Sequence, residues 1–349
     1  MLKCCLVCSV ALAAAQCAAW PEEGPEYRLG IHLESAVGVS SSQGYDYVKA
    51  LYDVMNEEYG YNMIMERFSS HREVQKALID DRIDGGFLVP GHIVEIIDSG
   101  TEMIPVTTYV IGKKRRSAYC LWEKKTEALK DVSEVGGKTV IIRGLDVLEF
   151  LQLREYMFAN GTDVPLWDVF DTFTRVSGQN SAFIALAMGK ADFYWEYEDA
   201  KFYIELVNST VAAKIAGNLC TDNIYSREST VMKMKPGKEE ELKKFSADLK
   251  DFYVNIKKYA KDYTALQAPL SYMRMTKIRL IPARDDEFET ELGLFRKAKE
   301  NGWLEEARYI VKILKDSPLG QPVAVSPNLE YCKKKCDEGN NDCIVACLQ

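Results

Sequence analysis

Histidine is scarce in this chain, with only His32, His71 and His92 among 349 residues. No serine, cysteine or carboxylate stands in a recognisable nucleophile or metal-ligand motif, and the sequence has no Gly-rich phosphate loop of the Walker type. Nucleophilic catalysis, metal catalysis and nucleotide hydrolysis each depend on such patterns. The sequence therefore predicts a protein that is not an enzyme and that uses no metal or other cofactor.

An excess of positive charge is absent as well. The chain has 44 Lys and Arg against 52 Asp and Glu, which gives a formal net charge of −8. Nucleic acids and anionic membrane surfaces require a basic face on their partner, so the sequence argues against both as partners. The one dense basic run, 113–116, is typical of a solvated connection between elements.

Long hydrophobic runs are limited to the N-terminus. Lys3, the apolar stretch 6–15 and the small residues after it have the pattern of a cleaved signal peptide, which we place at 1–19. The apolar stretch is shorter than the ~20 residues that span a bilayer. Gln16 is a poor residue before a lipidation site, so we do not expect a lipid anchor on Cys17. The mature chain is expected in the periplasm or, by a eukaryotic route, outside the cell.

Two segments of the chain, 74–87 and 182–195, share one sequence pattern. Each starts with apolar residues at helical spacing, passes through a break and ends in an apolar run too short for a helix. A helix that leads into a buried strand has this pattern, and such a strand requires a parallel sheet. Two copies predict an α/β protein with two lobes, each with its own sheet. The matched residues are Ala77 and Leu78 with Ala185 and Leu186, Arg82 with Lys190, and Asp84 with Asp192.

The order of the strand and helix patterns divides the mature chain. We expect lobe one to comprise 27–112 and 224–318 and lobe two to comprise 113–223, because the chain leaves the first sheet, builds the second and returns. The helix patterns at 238–259 and 285–314 have no strands of their own and are expected to cover lobe one as a helical cap. The expected strands are 27–32, 61–68, 83–89, 105–111, 117–123, 138–142, 167–173 and 212–224, and the other long helices are 45–59 and 147–158.

Five short motifs occur in a fixed order over most of the mature chain. They are Arg28-Leu29-Gly30-Ile31, Ala77-Leu78 through Asp84, Phe87-Leu88-Val89-Pro90, Gly136-Gly137-Lys138-Thr139-Val140, and Ala185-Leu186 through Asp192. Their order and spacing resemble type II periplasmic solute-binding proteins, and most of all the phosphate, phosphite and phosphonate-binding (PhnD-like) family of ABC transporters. The resemblance implies a two-lobed periplasmic-binding-protein type II fold. Its two mostly parallel sheets would be flanked by helices and followed by a helical cap and a short Cys-rich tail.

The function implied by this resemblance is the capture of a small solute. A monomeric, exported receptor would close its lobes on an anionic or zwitterionic solute, either phosphonate- or phosphate-like or a carboxylate. It would then hand the solute to the membrane permease of an ABC-type transporter. A second hypothesis is a secreted interaction or sensor protein with a degenerate pocket, which docks a partner through its cysteine tail.

The candidate ligand-binding residues follow the ends of the expected strands. In parallel sheets the ligand lies at the carboxyl ends of the strands, where loops and helix N-termini converge. Free N–H groups at a helix start favour an anionic group. The residues expected in the cleft are Glu34, Ser35, Tyr45, Ser69 and His92 from lobe one, and Arg143, Gly178, Gln179, Asn180 and Glu196 from lobe two.

At the first helix of lobe two the sequence departs from the family. Where the family typically has a Ser-Thr-Ser-Gly run, residues 143–146 read Arg-Gly-Leu-Asp. An Arg fork suits carboxylate as well as phosphate, while Asp146 repels either anion unless Arg143 neutralises it. Other interpretations are an internal ion pair between Arg143 and Asp146, a local turn role for His92 and a capping role for Asn180.

Cysteines are concentrated in the last segment, 319–349. Cys332 and Cys336, and then Cys343 and Cys347, are each four positions apart and would share a helix face. An exported protein meets an oxidising compartment, which favours disulfides, and structural zinc sites usually have tighter spacing. Of the three possible pairings we expect the nested one, Cys332 with Cys347 and Cys336 with Cys343.

Cys120 and Cys220 lie on the outgoing and returning crossovers between the lobes. In the same oxidising compartment they could also form a disulfide. Such a bond would restrict hinge motion.

Overall fold

The computed structural model describes residues 24–33, 41–127 and 129–327, together with Cys332, Cys336 and Cys347. The expected signal peptide and the candidate residues Glu34 and Ser35 lie outside these residues. Within the described part of the chain, no helix is long and apolar enough to cross a membrane.

Strands and helices alternate along most of the chain. The strands are β1 (Glu26–Ile31), β2 (Asn62–Arg67), β3 (Gly85–Leu88), β4 (Met103–Ile111), β5 (Tyr119–Lys124), β6 (Lys138–Ile142), β7 (Phe170–Arg175), β8 (Phe193–Tyr197), β9 (Ile215–Cys220), β10 (Ser229–Lys233), β11 (Ile278–Pro282) and β12 (Pro322–Val323). The α-helices are α1 (Ser41–Tyr59), α2 (His71–Ile79), α3 (Pro90–Asp98), α4 (Val147–Ala159), α5 (Leu166–Val169), α6 (Gln179–Ala187), α7 (Ala200–Val207), α8 (Ser209–Ala212), α9 (Glu239–Asp262), α10 (Gln267–Thr276), α11 (Glu289–Glu300) and α12 (Trp303–Lys315).

The strands form two six-stranded sheets, which confirms an α/β fold with two lobes. The order is β11-β4-β10-β3-β1-β2 in lobe one and β12-β7-β6-β8-β5-β9 in lobe two. In each sheet three strands are parallel, namely β2, β1 and β3 in lobe one and β7, β6 and β8 in lobe two. The remaining strands pair antiparallel, so both sheets are mixed, where we expected mostly parallel ones.

The repeated sequence pattern folds into the same helix end in both lobes. After α2, Asp81 has φ 56°, and the N–H of Arg82 donates to the carbonyl of Ala77 at 2.9 Å. After α6, Gly189 has φ 71°, and the N–H of Lys190 donates to the carbonyl of Ala185 at 3.0 Å. A left-handed residue followed by this hydrogen bond is the Schellman motif, which ends a helix and turns the chain.

The aspartate shared by the two copies fixes the start of the neighbouring strand. A carboxylate oxygen of Asp84 accepts from the N–H of Arg28 in β1 at 2.7 Å. In lobe two, Asp192 accepts in the same way from the N–H of Thr139 in β6 at 2.8 Å. Each aspartate therefore sets the register between the strand that follows it and the central parallel strand.

The last two helices pack differently from the expected cap on lobe one. The helix that covers the β4 and β11 side of lobe one is α9, whereas α12 packs against α4 and β7 of lobe two. Between the lobes, α11 contacts both α3 and α4. The reason is that α4 buries residues on nearly all its sides, so it needs a second helical layer. In lobe two that layer includes Trp303, Ile310 and Leu314, all buried.

Several elements differ from the expected ones. Pro90 ends a strand as expected, but it also begins α3, since its fixed φ suits the first turn of a helix. Residues 166–169 form one helical turn before β7, where a longer strand was expected. The short strands β10 and β11 were not anticipated, because their residues show no clear alternation of apolar and polar side chains.

The crossover disulfide does not bridge the lobes. Cys120 and Cys220 are bonded, but they face each other on the adjacent strands β5 and β9 of the lobe-two sheet. The bond therefore fastens two strands of one lobe and leaves the hinge segments outside its loop. In the tail, Cys332 is bonded to Cys347, and Cys336 is also disulfide-bonded. Cys343 lies outside the described residues.

The basic run 113–116 is not simply solvated. Arg115 donates two hydrogen bonds to one carboxylate oxygen of Glu287, from Nε at 2.9 Å and from an NH2 nitrogen at 2.7 Å, and Glu287 is fully buried. Arg116 donates to the carbonyl of Asp286 at 2.9 Å. The crossover is thereby fixed to the segment that leads into α11.

Candidate functional site

A small cavity lies where the two lobes meet. Its open space, including the mouth, is about 300 Å³. The cavity lies at the carboxyl ends of β3 and β6, beside the return crossover. Its lining residues are Val89, Pro90, Tyr119, Arg143, Asp146, Leu148, Glu149, Gln152, Tyr197 and Glu228.

Two helix starts face each other at this cavity. In lobe one, β3 ends at Leu88 and α3 begins at Pro90. In lobe two, β6 ends at Ile142 and α4 begins at Val147, with Asp146 as its N-cap. The sequence folds in this way because each buried strand runs directly into a helix with a short turn between them.

Asp146 caps α4 and reaches the start of α3. One carboxylate oxygen accepts from the N–H of Leu148 in α4 at 2.9 Å, and the carboxylate lies against the N–H of Gly91 in α3. The approach to Gly91 is so close that a Cβ there would lie 1.7 Å from Oδ1 of Asp146. Burial raises the pKa of Asp146, although nearby His92 and the two N–H groups oppose the shift. A carboxylate of the chain itself thus occupies the anion-favouring end of α3.

Arg143 lies against a buried carboxylate. Its Nε is 3.7 Å from an oxygen of Glu196, which is 3% exposed and also accepts from the N–H of Tyr197 at 2.9 Å. The hydroxyl of Tyr194 donates to the same carboxylate. This network holds the guanidinium at the cavity wall, so that Arg143 contributes a fixed positive charge to the lining.

Glu149 is the most perturbed carboxyl group of the cavity. Burial raises its pKa to about 8, Arg143 opposes the shift, and Asp146 and Glu196 add to it. Its carboxyl oxygen accepts from the N–H of Gly144 at 3.3 Å. Glu149 therefore holds its proton at neutral pH unless a cation enters the cavity.

We expect this group to make stability depend on pH. The pKa of Glu149 is about 8 in the folded protein against a usual 4.5, so the unfolded chain ionises first and stability is lost as pH rises from about 4.5 to about 8. Glu149→Gln should reduce that loss, by an amount on the order of 2 kcal/mol. Denaturant unfolding of wild type and Glu149→Gln at pH 6.5 to 9 measures how the free energy of unfolding of each changes with pH. A pH slope identical in wild type and variant would contradict the assignment.

The matched control is Glu155→Gln on the same helix, since Glu155 accepts from Tyr225 and Lys297 away from the cavity. The measurements stay above pH 6.5 because His71 also makes stability depend on pH below that value. There, stability falls as pH falls, which is opposite to the effect of Glu149. Burial and the neighbouring His32 and His92 lower the pKa of His71 to about 3, so its contribution is lost as pH falls from 6.5.

Two of the lobe-one candidates, Tyr45 and Ser69, have structural hydrogen bonds. The hydroxyl of Tyr45 donates to the carbonyl of Ile31 at 3.4 Å, and the N–H of Ser69 donates to Glu73 at 3.0 Å, next to the helix cap at Ser70. Nδ1 of His92, on α3, is 3.6 Å from Glu95. None of these candidates lines the cavity, although His92 lies close enough to Asp146 to influence its pKa.

The lobe-two candidates divide into two groups. Arg143 lines the cavity and Glu196 lies behind it. Gly178, with φ 80°, is the N-cap of α6, and Gln179 and Asn180 form its first turn, away from the cavity lining. This separation arises because the cavity forms at α4, and α6 begins on another part of the sheet edge.

Several lining residues were missed from the sequence. Glu149 and Gln152 were not among the candidates, and Asp146 was noted only as a source of repulsion. Their spacing offers a signal: positions 146, 149 and 152 are three apart and share one face at the start of α4. Among the described residues, no group of three or more His, Cys, Asp and Glu side chains could hold a metal ion.

Comparison with known proteins identifies the fold. No family model and no curated protein sequence matches the chain. Among solved structures, the methylphosphonate complex of PhnD1 from Prochlorococcus marinus is similar, with 11% identity, TM-score 0.58, and 79% of this chain and 98% of that chain covered. A binding protein component of an ABC phosphonate transporter from Pseudomonas aeruginosa has 14% identity and TM-score 0.56, over 84% and 95% of the two chains.

A third similar structure is the periplasmic aliphatic sulphonate binding protein SsuA from Escherichia coli. It has 14% identity and TM-score 0.53, with 80% of this chain and 94% of that chain covered. These likenesses, together with the two mixed sheets, show that the chain has the type II periplasmic-binding-protein fold.

Proposed function

We propose that this protein is an exported, two-lobed receptor that holds a small solute between its lobes and delivers it to a membrane transporter. The observation that carries the proposal is the cavity at the junction. Its lining comes from the end of β3 and the start of α3 in lobe one, and from the end of β6 and the start of α4 in lobe two. In α/β sheets this edge is where ligands bind.

The character of the lining supports a binding role. Tyr119 and Tyr197, with ring centroids 4.2 Å apart, provide an aromatic wall, and Arg143 provides one fixed cation. Small-molecule sites combine apolar walls with a few placed polar groups in this way.

The transporter part of the proposal has a separate support. The similar protein from Pseudomonas aeruginosa is a binding component of an ABC phosphonate transporter. For this chain, a transporter partner and the monomeric state are proposed by analogy of fold. Docking through the cysteine tail stays a prediction, because only Cys332, Cys336 and Cys347 of its cysteine-bearing part belong to the described residues.

A thermal-shift screen tests solute binding. We expect at least one member of a panel of amino acids, amines, carboxylates and phosphonates to raise the Tm by several degrees, because a ligand at 100 times its Kd adds about 2.7 kcal/mol. Arg143→Leu should abolish that shift. Arg175→Leu is the matched control, since Arg175 ends the neighbouring strand β7 and bonds to the carbonyl of Lys315. If no member of the panel raises the Tm, or if the increase in Tm persists in Arg143→Leu, the result would count against the proposal.

A further inference from the structure

We infer that the cavity takes a small solute with a protonated amine, and that an anion without such a group is rejected. This inference rests on the proposed function and narrows it to a solute class. It narrows the anionic or zwitterionic solute that the sequence suggested, because four of the lining residues carry hydrogen-bond acceptors. The acceptors are the carboxyl groups of Asp146, Glu149 and Glu228 and the side-chain oxygen of Gln152.

Gln152 provides the independent observation. It is 1% exposed, it lines the cavity, and its side-chain oxygen accepts no hydrogen bond among the described residues. A buried acceptor without a donor costs free energy. A ligand that brings a hydrogen-bond donor to Gln152 would remove that cost. An ammonium group carries three donors and no acceptor. It therefore suits Gln152 and Glu149, which lie one turn apart on α4.

The charges around the cavity favour the same group. Of the lining residues, Arg143 is the only cation, and it faces Glu196 at 3.7 Å. Behind the wall, Arg227 is paired with Asp199 and lies over the ring of Tyr197, 4.5 Å from its centroid. The lining thus keeps an excess of carboxyl groups over cations. An entering ammonium would gain attraction and would draw the proton off Glu149.

The same arrangement disfavours an isolated anion. The start of α3 is the place where N–H groups would hold an anionic group, and the carboxylate of Asp146 already lies there. A second anion would have to sit beside the carboxylate of Asp146, and like charges at contact distance repel. Arg143 can still orient the anionic end of a zwitterion. We therefore expect a zwitterion of amino-acid size, with its ammonium at Glu149 and Gln152.

Three matched probes test the inference by isothermal titration calorimetry at pH 7 and pH 8. β-Alanine carries both charged groups, ethylamine only the ammonium and propionate only the carboxylate. We expect β-alanine to bind most tightly, ethylamine more weakly and propionate not detectably. Binding of β-alanine should release protons from Glu149, seen as a heat that changes with the ionisation enthalpy of the buffer.

Two variants separate the site from general effects on folding. Glu149→Gln and the near-isosteric Gln152→Leu should each weaken β-alanine about tenfold or more, the usual loss when a hydrogen bond to a charged group is removed. Glu155→Gln, on the same helix but outside the cavity, should bind β-alanine as wild type does. Equal affinity in all three variants would overturn the inference.

The outcomes distinguish this inference from the proposed function. If propionate or methylphosphonate binds more tightly than either amine, the solute class is wrong while the receptor function stands. If no probe binds, yet a carboxylate or phosphonate of the thermal-shift panel does, the solute class again fails alone. If neither the probes nor the panel binds, both fail together.

Discussion

Gly91→Ala is expected to lower the Tm by about 4–16 °C. A Cβ at residue 91 would lie 1.7 Å from Oδ1 and 2.3 Å from Cγ of Asp146, so that one of the two must move. Asp146 is 9% exposed and caps α4 through Leu148, so its carboxylate can move away from residue 91 only by giving up that hydrogen bond. Overpacking costs about 1–3 kcal/mol and a lost cap about 1 kcal/mol. At about 2–4 °C per kcal/mol, these costs give the expected fall.

A double-mutant cycle attributes the effect to this contact. In an Asp146→Ala background, Gly91→Ala should cost much less than it does alone, because the clashing carboxylate is gone. Gly293→Ala is the matched control, since it lies within α11 with nothing near its added Cβ and should stabilise the helix by about 0.5–1 kcal/mol. Additive losses from the two substitutions would show that the lobes do not meet through Asp146.

Glu287→Ala is expected to reduce the free energy of unfolding by about 3–5 kcal/mol, the usual cost of leaving a buried ion-pair partner alone. Glu287 is fully buried, accepts from Nε of Arg115 at 2.9 Å and from the N–H of Arg284 at 3.0 Å. Its removal leaves the guanidinium of Arg115 with the carbonyl of Pro282 but without a counter-charge. Glu287→Gln keeps the shape and some of these bonds and should cost less.

Urea unfolding followed by circular dichroism measures this loss. The matched control is Glu289→Ala, two residues further on, whose side chain is exposed and should change stability by no more than about 0.5 kcal/mol. Equal stability of Glu287→Ala and Glu289→Ala would contradict the role assigned to the crossover pair.

The two-lobed fold could be predicted because its signals are local. The repeated pattern combines helical spacing, a left-handed turn at Asp81 or Gly189 and the aspartates Asp84 and Asp192, all within one short segment. Each feature specifies backbone geometry directly. A Ser with a Glu three residues later is likewise a local signal for the start of a helix, and the hydroxyl of Ser70 accepts from the N–H of Glu73 at 3.2 Å.

The candidate site was harder to predict because it depends on contacts between lobes. The sequence pointed to Arg143, which follows a strand end, but it could not show that Asp146 reaches Gly91 across the cleft. The packing of α12 on α4 was missed for a similar reason, since an amphipathic helix does not specify which surface it covers. Adjacent pairing of Cys120 and Cys220 depends on strand order in the sheet, which spacing alone does not reveal.

Native mass spectrometry tests the central claim, that the cavity between the lobes holds a small solute, most directly. The unreduced protein would be incubated with a small-molecule metabolite extract, desalted and compared with Gln152→Trp, in which the indole fills the cavity. We expect one small adduct at unit stoichiometry on the wild type and none on the variant. An unliganded wild type, or an adduct of equal mass and occupancy on both proteins, would contradict the account.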